Sequence, residues 1–392
     1  MKKSQITFFI VLGVIIVIAA YFMFYFSSST KEETSETGTE EATKELLGSS
    51  RVKTFVTNCL SSSLDDGLEI TGRQSGYITK DCQGNVFSQP FPYALYGMMI
   101  QPQNLSYDSK TSRCNSSKNY TVIYLIRNNT YYPSPDKYPS ENFTENGTAA
   151  NYGRSALPDL RTAQFSIESQ LDSYIASRAR DCLNFSGFQQ GVTAGNVTVK
   201  TSVNEVDVTA EMNVSIIIEG KPFTELTNFK VSRKIRLKNI YDFVNEMISK
   251  DNSFLSFNLT NDYKKLSFWK SGFEVNVVEI SNQTDIIVVN DSLSSLFGEN
   301  YLFVFARQNR PPVISFIRDI PTGDGSKPVK APYYAFDPDE DILNVTIVWY
   351  DGSKSDMSPK PSGCPGKMCN ANITVTDPAG LYDFQQFKVY LI

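Results

Sequence analysis

A chain of 392 residues, 41% hydrophobic and 12% aromatic, carries enough apolar material for two or three domain cores. Its formal charge of -5 and pI near 5.1 supply no global attraction for nucleic acid or for an anionic membrane surface. Histidine is absent from the sequence. No imidazole is therefore available as a base, a metal ligand or a triad member, which excludes most hydrolase and zinc-enzyme chemistry.

Met1-Lys2-Lys3 precedes residues 6–26, an apolar run without a charge. At about 1.5 Å per residue a helix of this length crosses roughly 30 Å of hydrocarbon. The run closes on the aromatic cluster Tyr21 to Phe26 rather than on a small-x-small cleavage site, so it reads as an uncleaved single-pass signal anchor. The two lysines leave residues 1–5 as a cytoplasmic tail and place everything after Phe26 outside, with membrane lipid as the partner of the apolar run. Residues 27–49 are almost wholly Ser, Thr, Glu and Lys, too polar to bury anything, and read as a disordered linker.

Residues 50–309 read as an α+β extracellular domain. A helix is expected from Val52 through Leu64, ending near Gly67, followed by a turn and a strand over Gly72 to Ile78. The Tyr-, Asn- and Pro-rich stretch from Asp81 to Pro158 holds one clear strand pattern, Val122 to Ile126. Asp159 is a plausible N-cap for a helix with Leu160, Ile167, Leu171, Tyr174 and Ile175 on one face. An antiparallel meander over Val197 to Val203, Val206 to Glu219 and Phe229 to Leu237 comes next, then a helix carrying Ile240, Val244, Met247 and Ile248. Strands Glu274 to Ile280, Asp285 to Val289 and Tyr301 to Ala306 close the domain. Lys230, Ser232, Lys234, Arg236 and Lys238 alternate along the third meander strand, as a solvated or lysine-guarded edge or as a stripe for a polyanion.

Asn309-Arg310-Pro311-Pro312 marks a boundary, because two prolines cannot continue a helix or a central strand. Residues 310–392 read as an all-β sandwich: Val313 to Ile317, Ala331 to Phe336, Leu343 to Tyr350, Asn372 to Val375 and Phe384 to Leu391. Within it Asp337, Asp339 and Asp341 are hard oxygen donors that form either half of a calcium site or a set of turn caps.

Six cysteines, an even set facing an oxidising space, favour disulfides over a structural zinc site. Cys364 and Cys369 read as a local clip, Cys82 with Cys114 as a bridge across a loop, and Cys59 with Cys182 as a link between two helices. Asn-x-Ser/Thr sequons begin at Asn104, Asn115, Asn119, Asn128, Asn142, Asn146, Asn184, Asn196, Asn213, Asn258, Asn282, Asn290, Asn344 and Asn372. Fourteen stands against roughly five expected by chance from the Asn, Ser and Thr content. Asn196, Asn213, Asn344 and Asn372 also fall on the polar side of alternating strands.

The segments Asn309 to Ile314, Ala335 to Leu343 and Val375 to Asp383 together resemble the cadherin-like and Ig-like modules of surface adhesins. The resemblance implies a sandwich fold, and in some such modules alternate aspartates bind calcium. Lys2 to Thr7 with its apolar run, Cys59 followed by Gly72-Arg73-Gln74-Ser75-Gly76-Tyr77-Ile78, and Asp181 to Phe188 are similar to a group of uncharacterised exported proteins from small-genome archaea of the DPANN type, which implies a location rather than an activity. Lys3-Ser4-Gln5-Ile6-Thr7 is also similar to the processing site of archaeal pilins and archaellins, cut before the glutamine.

These observations point to an N-glycosylated, membrane-anchored protein of the cell surface, structural or adhesive rather than enzymatic, with a surface protein or glycan as partner and no nucleic acid. A pilin-like filament subunit processed before Gln5 is the alternative. A carboxylate-only glycan hydrolase is the least favoured, since Asp65-Asp66 and Asp337 to Asp341 are the dense acid clusters and each has a turn or cap to explain it.

Overall fold

The computed structural model describes residues 39–78, 93–96, 120–127, 153–154, 157–188, 191–218, 221–222, 227–254, 257–281, 284–315 and 317–392. The chain divides into two compact units, Met1–Thr54 and Phe55–Ile392. Of the first, the structure describes the opening turns of helix α1 (Thr39–Arg73). That helix begins inside the stretch read as linker, where Glu-Glu-Ala-Thr-Lys-Glu-Leu-Leu is rich in good helix formers. It also runs straight through Gly67, the expected stop.

Strands dominate the second unit, and this corrects the expected α+β head behind a membrane-spanning helix. Among the described residues sixteen strands set the architecture, with helices packed against them. No helix among the described residues is long and apolar enough to cross a membrane. The apolar run at 6–26, the Ser4-Gln5 processing site and the linker up to residue 38 lie outside the described residues.

The first sheet orders β1 (Tyr93–Tyr96), β2 (Tyr120–Arg127), β10 (Glu299–Gln308), β9 (Thr284–Leu296) and β8 (Phe273–Ser281), with β3 (Gly153–Arg154) also on β2. β2 joins β10 in parallel, while β10, β9 and β8 form an antiparallel meander. Its apolar centre is Val122, Ile286, Val288, Val304 and Ala306. A second sheet places β5 (Val208–Ile218) between β4 (Val192–Val203) and β7 (Asn228–Arg233), with β6 (Lys221–Pro222) at its end. On β5, Val208, Ala210, Met212, Val214 and Ile216 are buried, while Glu211, Asn213 and Ser215 face water, the period of two that its sequence shows.

Helix α2 (Ile167–Cys182) starts later than expected. Ser166, not Asp159, is its N-cap, its hydroxyl accepting from the Ser169 N–H at 3.1 Å. Asp159 instead lends its carbonyl to the Ile167 N–H. The Cys59–Cys182 disulfide ties α1 to α2, with Cα atoms 5.7 Å apart. Gly67 makes the approach possible, since a Cβ there would sit 3.1 Å from Leu171 Cδ2 and 3.2 Å from the Tyr174 ring. Gly72 does the same toward β10, where a Cβ would run into the Leu302 carbonyl, and Tyr301 donates its hydroxyl hydrogen to the Leu68 carbonyl at 2.9 Å. Helix α3 (Leu237–Ser253) buries Ile240, Phe243, Val244, Met247 and Ile248 on one face.

The C-terminal part builds a sheet in the order β12 (Ile320–Thr322), β16 (Tyr382–Leu391), β15 (Met368–Thr376) and β14 (Asn344–Trp349), beside a ribbon of β11 (Val313–Ile314) and β13 (Ala335–Phe336). Its core gathers Ile314, Ile317, Ile347, Trp349, Ile373, Val375, Phe387 and Val389, with Trp349 edge-on to Phe387 at 5.6 Å. The Cys364–Cys369 clip closes the loop before β15. Two of the three expected disulfides are thus formed, and Cys82 and Cys114 lie outside the described residues.

The expected basic stripe breaks up. β7 ends at Arg233, so Arg236 and Lys238 lie past the strand. Of the stripe's cations, Lys230 pairs with Glu211 at 2.8 Å, Arg236 with Asp291 and Lys238 with Asp242, while Lys234 is exposed past the end of the strand, so most of the stripe's charge is already compensated within the fold.

Candidate functional site around the Asp337 loop

The aspartate loop expected to bind calcium separates into two functions. Asp337 closes the turn, its Oδ1 accepting the N–H groups of Asp339 at 2.8 Å and Asp341 at 3.2 Å. Glu340 takes the left-handed conformation at φ 64°, which lets the chain reverse within five residues. Asp337 and Asp341 then point toward Asp377 from the turn before β16, bringing one carboxylate oxygen from each within 4.8 Å of the others.

Asp339 faces the other way. It accepts from Arg310 at the main-chain nitrogen (2.8 Å) and at Nε (2.9 Å), and it pairs with Arg307 Nη2. Arg307, at the end of β10, also reaches Asp251 Oδ2 at 3.1 Å and Asp285 Oδ2 at 3.2 Å. Arg310 is 1% exposed and further bonds the carbonyls of Phe257 and Pro338. Two arginines and three carboxylates thereby lock the end of α3, the sheet strands β9 and β10 and the Asp337 loop into one buried ion network.

The electrostatics follow this division. Burial works to raise the Asp339 carboxyl, but the charges of Arg307 and Arg310 outweigh it and hold the group below the usual carboxylate range. Asp337 has no such partner. Burial, then the charges of Asp339 and Asp341, pushes it up to about 7. Its Oδ2 is buried without a hydrogen-bond partner, in a residue 4% exposed. Asp377 is likewise raised, by burial first and then by Asp341. Asn309 Nδ2 donates to Asp341 Oδ2 and to Asp377 Oδ2, each at 3.2 Å, and holds the two carboxylates together. Three acidic side chains, one with an oxygen lacking a donor, form a donor set of the hardness and charge that suit a calcium ion.

Beside the network lies a cavity of about 340 Å³, lined on one side by Val277, Glu279 and Ser281 of β8 and on the other by Asp341, Pro378 and Ala379. Asn258 stands at its rim, where its Oδ1 accepts from Thr260 and Asn261 to cap the short helix α4 (Leu259–Asp262) and its Nδ2 donates to Glu340 at 2.9 Å.

Of the sequon asparagines, Asn184, Asn196, Asn213, Asn344 and Asn372 are exposed. Asn258 is half-buried and engaged as a cap. Asn290 lies in β9, half-buried, with Oδ1 buried and unpartnered, less open than the five exposed asparagines. Asn104, Asn115, Asn119, Asn128, Asn142, Asn146 and Asn282 lie outside the described residues.

Asp251, Asp285 and Asp377 were not legible as site residues. The first two lie 56 and 22 positions from Arg307 and meet it only through the sheet. Asp377 carries a signal in hindsight, since Val-Thr-Asp-Pro-Ala-Gly is a turn that presents its aspartate toward the preceding loop.

No protein-family model matches the chain, and no curated protein matches it. Among solved structures, "Protocadherin Gamma B2 extracellular cadherin domains 1-5" shares 13% identity over 32% of this chain and 31% of its own, at a TM-score of 0.17. This chain thus spans less than a third of that structure, and a likeness this distant carries no argument about fold or function. The similarity to archaeal exported proteins finds no counterpart in these comparisons.

Proposed function

We propose that this is an N-glycosylated protein of the cell surface with a structural or adhesive role, held at the membrane through the apolar run at 6–26 and braced by calcium at Asp337, Asp341 and Asp377. The observation that carries the reading is the disposition of the sequons. Five of the seven in the described residues stand exposed, four of them on or at the wet faces of two sheets, in a fold stapled by two disulfides that need an oxidising space. The calcium part rests on the unpartnered Asp337 oxygen within the three-carboxylate cluster. The partner is a surface protein or glycan, and the role is one of binding or support rather than turnover.

Protease shaving of intact cells, followed by mass spectrometry, tests the location: the reading expects peptides from 50–392 to be released while the cells stay whole. Their retention until lysis would overturn it. Deletion of the gene is expected to reduce cell-to-cell or cell-to-surface attachment, restored by the wild-type chain, and unchanged attachment would remove the adhesive role. Calcium is expected to raise the melting temperature of the wild-type protein and not of Asp337→Asn, and an equal response from both would remove the metal.

A further inference from the structure

The outer face of the C-terminal sheet combines two features that its core does not explain. Phe384 is 39% exposed and Tyr382 is 64% exposed, side by side on the open face of β16. Two sequons share that face, because an asparagine and the threonine two residues on point the same way from a strand: Asn344 with Thr346 on β14, and Asn372 with Thr374 on β15.

The register sets the distances. Asn344 stands opposite Thr376, which stands opposite Tyr382, so one row across three strands joins asparagine to tyrosine over roughly 10 Å. Thr374 stands opposite Phe384, which makes Phe384 the diagonal neighbour of Asn372 at roughly 7 to 8 Å. Both rings therefore lie within reach of the first sugars of a chain attached at either asparagine.

We propose that this face is covered by the protein's own N-linked sugars, with the glycans on Asn344 and Asn372 lying against Tyr382 and Phe384. The inference rests on the reading of these sequons as glycosylated. A pyranose ring has one face of C–H groups carrying partial positive charge, and the face of an aromatic ring is negative, so the two stack while the hydroxyls point outward. The strands between supply hydrogen-bonding groups without charge, Thr374, Thr376 and Gln386, and Lys388 enters only toward the far end of the face. The same face also carries Val348 beside Asn372 and Met368 opposite Tyr390, so it is a largely uncharged surface of mixed polar and apolar groups with Lys388 as its charge. It lacks the charge pattern of an electrostatically steered protein contact, and covalently attached sugars are present at high local concentration from the moment of modification.

The test uses the full chain from its native cells with its glycans, alongside Asn344→Gln, Asn372→Gln and the double variant. Hydroxyl-radical footprinting reads the two rings, and glycopeptide mass spectrometry reads occupancy of both sites in the same digests. The expected result is sugar at both sites, labelling of Tyr382 and Phe384 several-fold higher in the double variant, and no change at Phe165, which is exposed elsewhere. Phe384→Leu should lower the melting temperature of glycan-bearing protein and leave the double variant nearly unmoved. Sugar at both sites with ring labelling unchanged overturns the inference and leaves the glycosylation reading intact. Unmodified asparagines overturn both. Protection of the rings in the double variant by an added free oligosaccharide would assign the face to an external sugar and overturn the self-covering arrangement.

Discussion

At the scale of single residues the molecule turns on two buried arginines. Arg310 is 1% exposed and neutralises Asp339 and Asp251 while satisfying three main-chain carbonyls. Arg310→Ala is expected to cost about 3 to 5 kcal/mol, because it leaves the buried carboxylates of Asp251 and Asp339 to share Arg307 and takes the donor from three buried carbonyls, whereas Arg310→Met combined with Asp339→Leu should recover part of the loss. Urea unfolding measures both, as a shift in midpoint with little change in slope. Asp383 offers a pH test. It is 8% exposed, and burial pushes its carboxyl up to about 6 against the bonds it accepts from the Ile314 and Phe384 N–H groups. The same group titrates near 3.9 in the unfolded chain. A folded-state value above the unfolded one means the proton is held more tightly in the fold. The contribution is therefore fully present below about pH 4 and is lost as pH rises to about 6, by up to about 3 kcal/mol. The stability of wild type relative to Asp383→Asn should fall across that window and stay level above it, as read by denaturant curves at each pH. Residue-level legibility in the sequence was uneven for a physical reason. Asp337 and Asp341 stood out because turn chemistry is local, but the ion pairs of Asp251 and Asp285 exist only once β9, β10 and α3 are side by side.

At the scale of elements, local periodicity was a good guide wherever one face is buried. The alternation at 206–218 located β5, and the four apolar positions from Ile240 to Ile248 located α3. Periodicity failed at ends and at very short strands. Val313 to Ile317 shrinks to a two-residue strand, and β12 was missed because Ile320-Pro321-Thr322 holds a proline that only an edge position tolerates. Helix α1 overran its expected stop because Gly67 and Gly72 are there for close packing rather than for termination, a distinction that sequence alone does not carry. Gly72→Ala is accordingly expected to destabilise by about 1 to 3 kcal/mol, the clash with the Leu302 carbonyl outweighing the gain in helix preference. A rise in melting temperature would contradict that packing. The two disulfides differ in the loops they close, with separations of 123 and 5 residues. The chain-entropy model gives about 5 kcal/mol for the first and about 2 for the second. Replacing Cys59 and Cys182 by alanine should therefore lower the thermal midpoint much further than replacing Cys364 and Cys369.

At the scale of the whole molecule, strands carry the architecture, helices pack on them, and a buried network of arginines and aspartates fixes the Asp337 loop against the end of α3. The exposed sequons and the two disulfides among the described residues are the observations on which the proposed exterior location rests. The measurement that tests this most directly is non-reducing peptide mapping by mass spectrometry on protein taken from native membranes, which reads crosslinks and modified asparagines together. The account predicts Cys59 linked to Cys182, Cys364 linked to Cys369, and sugar on Asn184, Asn196, Asn213, Asn344 and Asn372, with Asn290 unmodified. Free thiols at these cysteines together with unmodified exposed sequons would contradict it.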